Sequence, residues 1–177
     1  MKDFFKKISD VAKPTAVLAI ICIVVTLALS STNLLTCEKI DESAEQTKKS
    51  AMEELVVADD YPPANLNGIT YNIAVKENQN IALIFTTSAK GYGGDVKVMT
   101  AIDNELSIIG IKILDVSGET PGLGQNVTKE SFYGQFKGKG SKINAVTGAS
   151  ISSKAVTDAV NEAYKYANEI IAKEDVS

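Results

Sequence analysis

From Pro14 to Cys37 the chain carries no charged residue, and from Ala16 to Leu29 every side chain except that of Thr26 is apolar. This run constrains the fold more than any other feature of the sequence. At about 1.5 Å per residue its helix would reach roughly 36 Å, more than the ~30 Å hydrocarbon core of a bilayer. One transmembrane helix over 14–37 is the expectation. Lys2, Lys6, Lys7 and Lys13 precede it, whereas Glu38, Asp41, Glu42 and Glu45 crowd its far side with Lys39 among them. Lysine bias sets orientation, so residues 1–13 are expected in the cytoplasm and the chain beyond residue 37 on the extracytoplasmic side of the cell membrane. Two other readings use the same residues. One is a secretory signal cleaved near Ala28-Leu29-Ser30; the other is a lipoprotein box at Leu34-Leu35-Thr36-Cys37, which Thr36 fits poorly. A retained single-pass anchor in membrane lipid is the reading adopted.

What the rest can do is limited by what it lacks. The 177 residues include 18 lysines and 22 acidic residues but no arginine, histidine or tryptophan. Without histidine there is no Ser-His-Asp triad, no Cys-His dyad and no imidazole metal site. Without arginine, and with an acidic balance, the chain has no electrostatic footprint for nucleic acid. Cys22 lies inside the apolar run and Cys37 at its outer edge, with no CxxC spacing. Neither a disulfide nor an iron–sulfur cluster held by this chain alone is expected, and no metal ligands or self-sufficient catalytic residues emerge.

Glu38 to Ala58 places Ile40, Ala44, Ala51, Met52, Leu55 and Val56 at loosely helical spacing among Glu, Lys and Ser, which predicts a helical extension into water. Asp59-Asp60-Tyr61-Pro62-Pro63 ends it, because two prolines cannot continue a helix. Residues 38–64 thus read as an acidic stalk and linker, and 65–177 as a domain. Strands are expected at Ile69–Val75, Ile81–Thr87, Asp95–Ile102 and Leu106–Leu114, joined by short polar connections at 77–80 and 103–105. The alternation in Asp95–Ile102 predicts one packed face and one wet face. From Ile151 to Ile171 the period becomes helical, with Ala155, Ala159, Ala163, Ala167 and Ile170 flanked by Val156, Val160, Tyr164 and Ile171. The expected fold class is α+β: an antiparallel sheet packed by a C-terminal helix, preceded by one N-terminal transmembrane helix.

Two loops carry candidate chemistry. Ser117-Gly118-Glu119-Thr120-Pro121-Gly122-Leu123-Gly124 follows a strand, and its glycines and proline suit either an ordinary turn or a close approach to something flat. Asn144-Ala145-Val146-Thr147-Gly148-Ala149-Ser150-Ile151-Ser152-Ser153-Lys154 runs into the C-terminal helix. Its hydroxyls suit an N-cap; equally, a helix N-terminus seats a phosphate without arginine, and Lys154 would add a point charge.

Thr147-Gly148-Ala149-Ser150 resembles the flavinylation motif of the covalent FMN-binding domain family, usually Asp-x-x-Ser/Thr-Gly-Ala-Thr. The resemblance extends to Glu119-Thr120-Pro121-Gly122-Leu123-Gly124, to Lys90-Gly91-Tyr92-Gly93-Gly94 and to Phe136-Lys137-Gly138-Lys139, all within the stretch from about Ser88 onward. Asn144 stands where the family has aspartate and Ser150 where it has threonine; serine keeps a hydroxyl able to form the same ester. The short chain resembles the G subunit of the Rnf electron-transport complex more than the longer C subunit of the Na⁺-translocating quinone reductase.

The resemblance implies an FMN joined through its phosphate to Ser150 by a flavin transferase, with Thr147, Gly148 and Ala149 turning closely around it. It also implies cofactor contacts from Glu119, Thr120, Gly122 and Leu123, with Leu123 on the ring and Glu119 and Thr120 bonding at its edge, and from Lys139, Ser153 and Lys154. The chain would relay electrons in a complex whose other integral and peripheral subunits couple ferredoxin:NAD⁺ oxidoreduction to Na⁺ or H⁺ translocation. The uncharged span offers no ion path of its own. Competing readings are a membrane-anchored flavin- or ligand-binding or adaptor module without electron relay, and a stand-alone extracytoplasmic flavoprotein reductase.

Overall fold

The computed structural model describes residues 2–66, 68–138 and 144–174, with side chains outside 2–14, 33–43 and 174. The chain forms two compact units, Met1–Gln46 and Thr47–Ser177. Helix α1 runs from Lys2 to Leu55 and begins in the first unit. Its segment Thr15–Thr32 is long and apolar enough to cross a membrane, and none of it is buried against protein. A core helix of a soluble protein would be buried; here Val17, Leu18, Ile20, Ile23, Val24 and Leu27 are all bare. The hydroxyls in this stretch need no water. Thr26 Oγ1 donates to the Cys22 carbonyl at 2.7 Å, Ser31 Oγ to Leu27 at 2.8 Å and Thr32 Oγ1 to Ala28 at 2.6 Å, an arrangement compatible with hydrocarbon.

The second unit is built on five antiparallel strands in sequential order: β1 Pro63–Leu66, β2 Ile69–Lys76, β3 Gln79–Lys90, β4 Asp95–Asp103 and β5 Ile108–Asp115. Lys76 pairs with Gln79 across a two-residue turn in which Glu77 and Asn78 both have positive φ, 51° and 64°. That conformation matches the right-handed twist of the flanking strands. β1 was not legible in the sequence, since its first residue is the second proline of the linker. At the start of an edge strand a missing N–H costs no ladder bond.

Helix α3, Ser150–Glu174, lies across one face. The expected stripe is the buried one: Ala155, Val156, Ala159, Val160, Ala163, Ala167 and Ile170 pack against Leu83, Phe85, Val96, Val98 and Ile102. Four alanines bring the helix backbone close enough for buried Thr87 Oγ1 to donate to the Ala159 carbonyl at 2.9 Å. Short 3₁₀ turns at Gly124–Thr128 and Gly134–Phe136 flank helix α2, Glu130–Tyr133, and add Val127, Phe132 and Phe136 to the same core.

The expected wet face of β4 is corrected. Only Asp95 and Lys97 are exposed on it, whereas Met99 and Ala101 are buried in a second cluster with Ala74, Ala82 and Ile84. The cover is the end of α1: Ala51, Met52 and Val56 are buried there, Leu55 sits over Gly110, and Glu54 reaches Lys112 Nζ at 2.5 Å. After Leu55 the chain is sealed by Tyr61, whose hydroxyl donates to the Val56 carbonyl at 2.5 Å and accepts from Ala58 N at 3.3 Å.

One core group stands out as unpaired. Thr100 Oγ1 is buried with no hydrogen-bond partner, at a position flanked on the helix-facing side of β4 by Val98 and Ile102. A buried hydroxyl without a partner costs about 1–3 kcal/mol. Thr100→Val keeps the shape and is expected to stabilise by roughly 1 kcal/mol, raising the melting temperature by about 2–4 °C. Thermal melting of the full chain in detergent checks this.

Candidate functional site

Three consecutive segments of the motif region go to different uses. The turn before α3 closes with Ala149 N donating to the Val146 carbonyl at 2.9 Å, and Gly148 takes a positive φ of 79°. Ser153 N donates to Ala149 O at 2.9 Å, so Ala149, a residue with no side-chain acceptor, occupies the cap position. The N–H groups of the first helical turn therefore receive no cap from a side chain at that position.

The three serines then diverge. Buried Ser153 accepts from Val146 N at 3.0 Å, and buried Ser152 donates from Oγ to Glu119 Oε2. Ser150 is exposed, and its hydroxyl has no protein partner among the described residues. Lys154, exposed in the next turn, pairs with Asp158 at 3.4 Å. Upstream, the backbone of Asn144 is clamped by the Gln135 amide, which accepts from Asn144 N at 2.9 Å and donates to its carbonyl at 3.3 Å.

The loop of residues 117–124 starts from a fixed point. The Ser117 amide, at 2.8 Å from Asp115 Oδ1, and secondarily the Ser117 hydroxyl hold the Asp115 carboxyl below its usual range. Glu119, placed by the resemblance at the cofactor edge, instead turns inward and is 2% exposed. Oε1 accepts from Tyr92 N at 2.8 Å and Gly93 N at 3.3 Å, while Oε2 accepts from Ser152. Thr120 and Gly122 remain on the surface. The Thr120 carbonyl accepts from Leu123 N and Gln125 N, and the Gly122 carbonyl from Asn126 Nδ2 at 2.6 Å. Leu123 Cδ2 lies 3.3 Å from where a Cβ on Gly148 would be, so the two candidate loops touch. Thr147 is exposed beside Gly148, Ala149 is buried, and Lys139 lies outside the described residues.

Two exposed apolar side chains beside the site were not singled out from the sequence. Beyond the helix α1 span, the large apolar side chains most exposed among the described residues are Val57, Tyr92, Leu123 and Ile151. Three of these four, at 72%, 49% and 52% exposure, belong to the segments joined at Glu119. Tyr92 was legible only as part of a glycine-rich match, and Ile151 only as a helix residue next to Ser150. The arrangement offers an exposed alcohol, uncapped helix amides for an anion and apolar side chains for a flat ring. These are the requirements of a flavin phosphate, and the residues present fit that group.

Comparison with known proteins agrees. Residues 91–165 match the FMN-binding domain family. The chain is 34% identical over 160 residues to the G subunit of the proton-translocating ferredoxin:NAD(+) oxidoreductase complex of Clostridium ljungdahlii, covering 82% of this chain and 85% of that one. It is 31% identical over 179 residues to the G subunit of the Na(+)-translocating ferredoxin:NAD(+) oxidoreductase complex of Acetobacterium woodii, covering 82% and 86%. In fold it resembles the crystal structure of Shewanella oneidensis NqrC, with a TM-score of 0.53 and 18% identity over 62% of each chain, under two thirds of that structure. The chain belongs to the family of G subunits of ion-translocating ferredoxin:NAD(+) oxidoreductase complexes, built on an FMN-binding domain.

Proposed function

We propose that this chain is the membrane-anchored, FMN-carrying electron-transfer subunit of an ion-translocating ferredoxin:NAD⁺ oxidoreductase complex, with the flavin phosphate esterified to Ser150. The observation that carries the assignment of Ser150 is its uncommitted hydroxyl at the uncapped start of α3, where Ser152 and Ser153 are both engaged. A flavin transferase would transfer the FMN moiety of FAD to Ser150 Oγ, which loses its proton as AMP leaves. The first-turn amides of α3 would hold the phosphate charge, and Lys154 adds a positive charge one turn along. Thr147 to Ala149 shape the close turn. Leu123, Tyr92 and Ile151 would supply apolar contact to the ring, with Thr120 and Gly122 at the rim.

When bound, the flavin supplies the redox chemistry that no side chain here can perform. The chain's own contribution is placement, since it has no histidine, no arginine and no carboxylate in the span. Coupling to Na⁺ or H⁺ movement belongs to partner subunits. The lysines ahead of the span support a cytoplasmic N-terminus and an extracytoplasmic flavin domain.

Coexpression with a flavin transferase tests this directly. The expected result is a band at the chain's mobility that fluoresces after denaturing electrophoresis, and copurification of further integral subunits from native membranes. A dark band refutes covalent attachment, and a fluorescent chain that purifies alone supports a stand-alone flavoprotein instead.

A further inference from the structure

Glu119 is a charged side chain buried in a surface loop. Its oxygens bind donors from two other segments: the Tyr92 and Gly93 amides of the glycine turn before β4, and the Ser152 hydroxyl in the first turn of α3. Its own loop supplies Leu123. Thus one carboxylate ties together the segments that carry Tyr92, Leu123 and Ser150.

Glycine stands wherever a side chain would displace that carboxylate. A Cβ on Gly91 would overlap Oε1, and one on Gly124 would lie 2.8 Å from Oε2 and 2.9 Å from Ser152 Oγ. Gly93 and Gly94 are packed backbone to backbone against Gly118, the residue before Glu119. The crowding leaves the carboxylate little freedom to turn outward.

We infer that Glu119 is a positioning residue for flavin attachment: it fixes the α3 start, and with it Ser150, against the apolar residues of the two loops. The inference rests on the flavin reading above. Because the clamp works through accepted hydrogen bonds, glutamine can replace it. The amide oxygen accepts from Tyr92 and Gly93, and the Ser152 hydroxyl turns to accept from the amide nitrogen. Alanine cannot.

The test is the initial rate of covalent flavin incorporation into the full-length chain by purified transferase and FAD, at a temperature well below each variant's melting point. Glu119→Ala is expected to slow labelling about tenfold or more, the scale of a misplaced reacting group. Glu119→Gln is expected to keep at least roughly half the parent rate, as its hydrogen-bonding capacity allows. In the unmodified protein, hydrogen exchange at Tyr92 and Gly93 accelerates in Glu119→Ala and stays slow in Glu119→Gln.

Ser152→Ala removes the α3 arm alone and carries the test if Glu119→Ala does not fold: labelling slows while the Tyr92 and Gly93 amides stay protected. Parent-rate labelling in Glu119→Ala or Ser152→Ala overturns the inference, as does a glutamine variant as slow as alanine, which would make the charge itself the requirement. A parent chain that takes up no covalent flavin overturns the flavin reading and this inference together; a labelled parent with the wrong pattern overturns this inference alone.

Discussion

Ser150→Ala is expected to give a folded, membrane-bound chain that carries no covalent flavin. The two halves of that outcome have separate causes. Ser150 is exposed and its hydroxyl holds no protein partner among the described residues, so truncation breaks no hydrogen bond there. Alanine is also a good helix former, and a surface change of this kind stays within about 0.5 kcal/mol. Loss of the alcohol nonetheless removes the only nucleophile the proposal uses. In-gel flavin fluorescence should fall to background while thermal melting stays within a degree or two of the parent, given about 2–4 °C per kcal/mol. Ser150→Thr restores a hydroxyl at the same backbone position and should restore the band. A band that persists in Ser150→Ala would move the attachment to another hydroxyl, with exposed Thr147 the first to examine.

Gly93→Ala is expected to have the next largest effect, and here stability and loading fall together. A Cβ at this position would overlap the Gly118 carbonyl oxygen, and the obstacle is backbone rather than a flexible side-chain end. Relief requires the glycine turn and the loop of residues 117–124 to separate, which strains the hydrogen bonds of Glu119 with Tyr92 and Gly93. Overpacking of this kind costs about 1–3 kcal/mol. Flavin incorporation should drop further than melting temperature alone explains, because the separated loops are those that carry Tyr92 and Leu123. Gly134→Ala is the control. That glycine has a helical φ of −63°, and its added Cβ meets only ordinary contact with Glu130 at 3.9 Å. It should melt and load as the parent does, and a Gly93→Ala protein matching it would refute the backbone contact.

The sheet and the covering helix were legible because their signals are local: short apolar runs bounded by polar turns in β2 to β4, and an alanine-rich stripe in α3. The second buried face was not, because the residues that cover it read as the end of a charged stalk. Ala51, Met52 and Val56 make a short apolar group, and nothing local says that it meets Met99 and Ala101, nearly fifty residues on. The burial of Glu119 was not legible for a related reason. Gly118-Glu119-Thr120 gives no local sign of an inward-turned carboxylate, and its donors lie 26 to 33 residues away along the chain. One signal was present: glycine recurs at 91, 93, 94, 118 and 124, and clustered small residues in separate loops mark places where backbones meet. The motif serine was singled out by resemblance, and the geometry adds why it differs from the two serines beside it: their hydroxyls are engaged.

That separation has a counterpart in synthetic chemistry. A chemist who needs one alcohol among several phosphorylated masks the others first. At the start of α3 the fold masks two: the Ser152 hydroxyl is turned onto a buried carboxylate, and the Ser153 hydroxyl faces the amide of Val146. A modifying enzyme approaching this turn would meet a single unprotected alcohol among the three serines. It would not have to discriminate among them by its own contacts, because the fold leaves one of the three hydroxyls uncommitted.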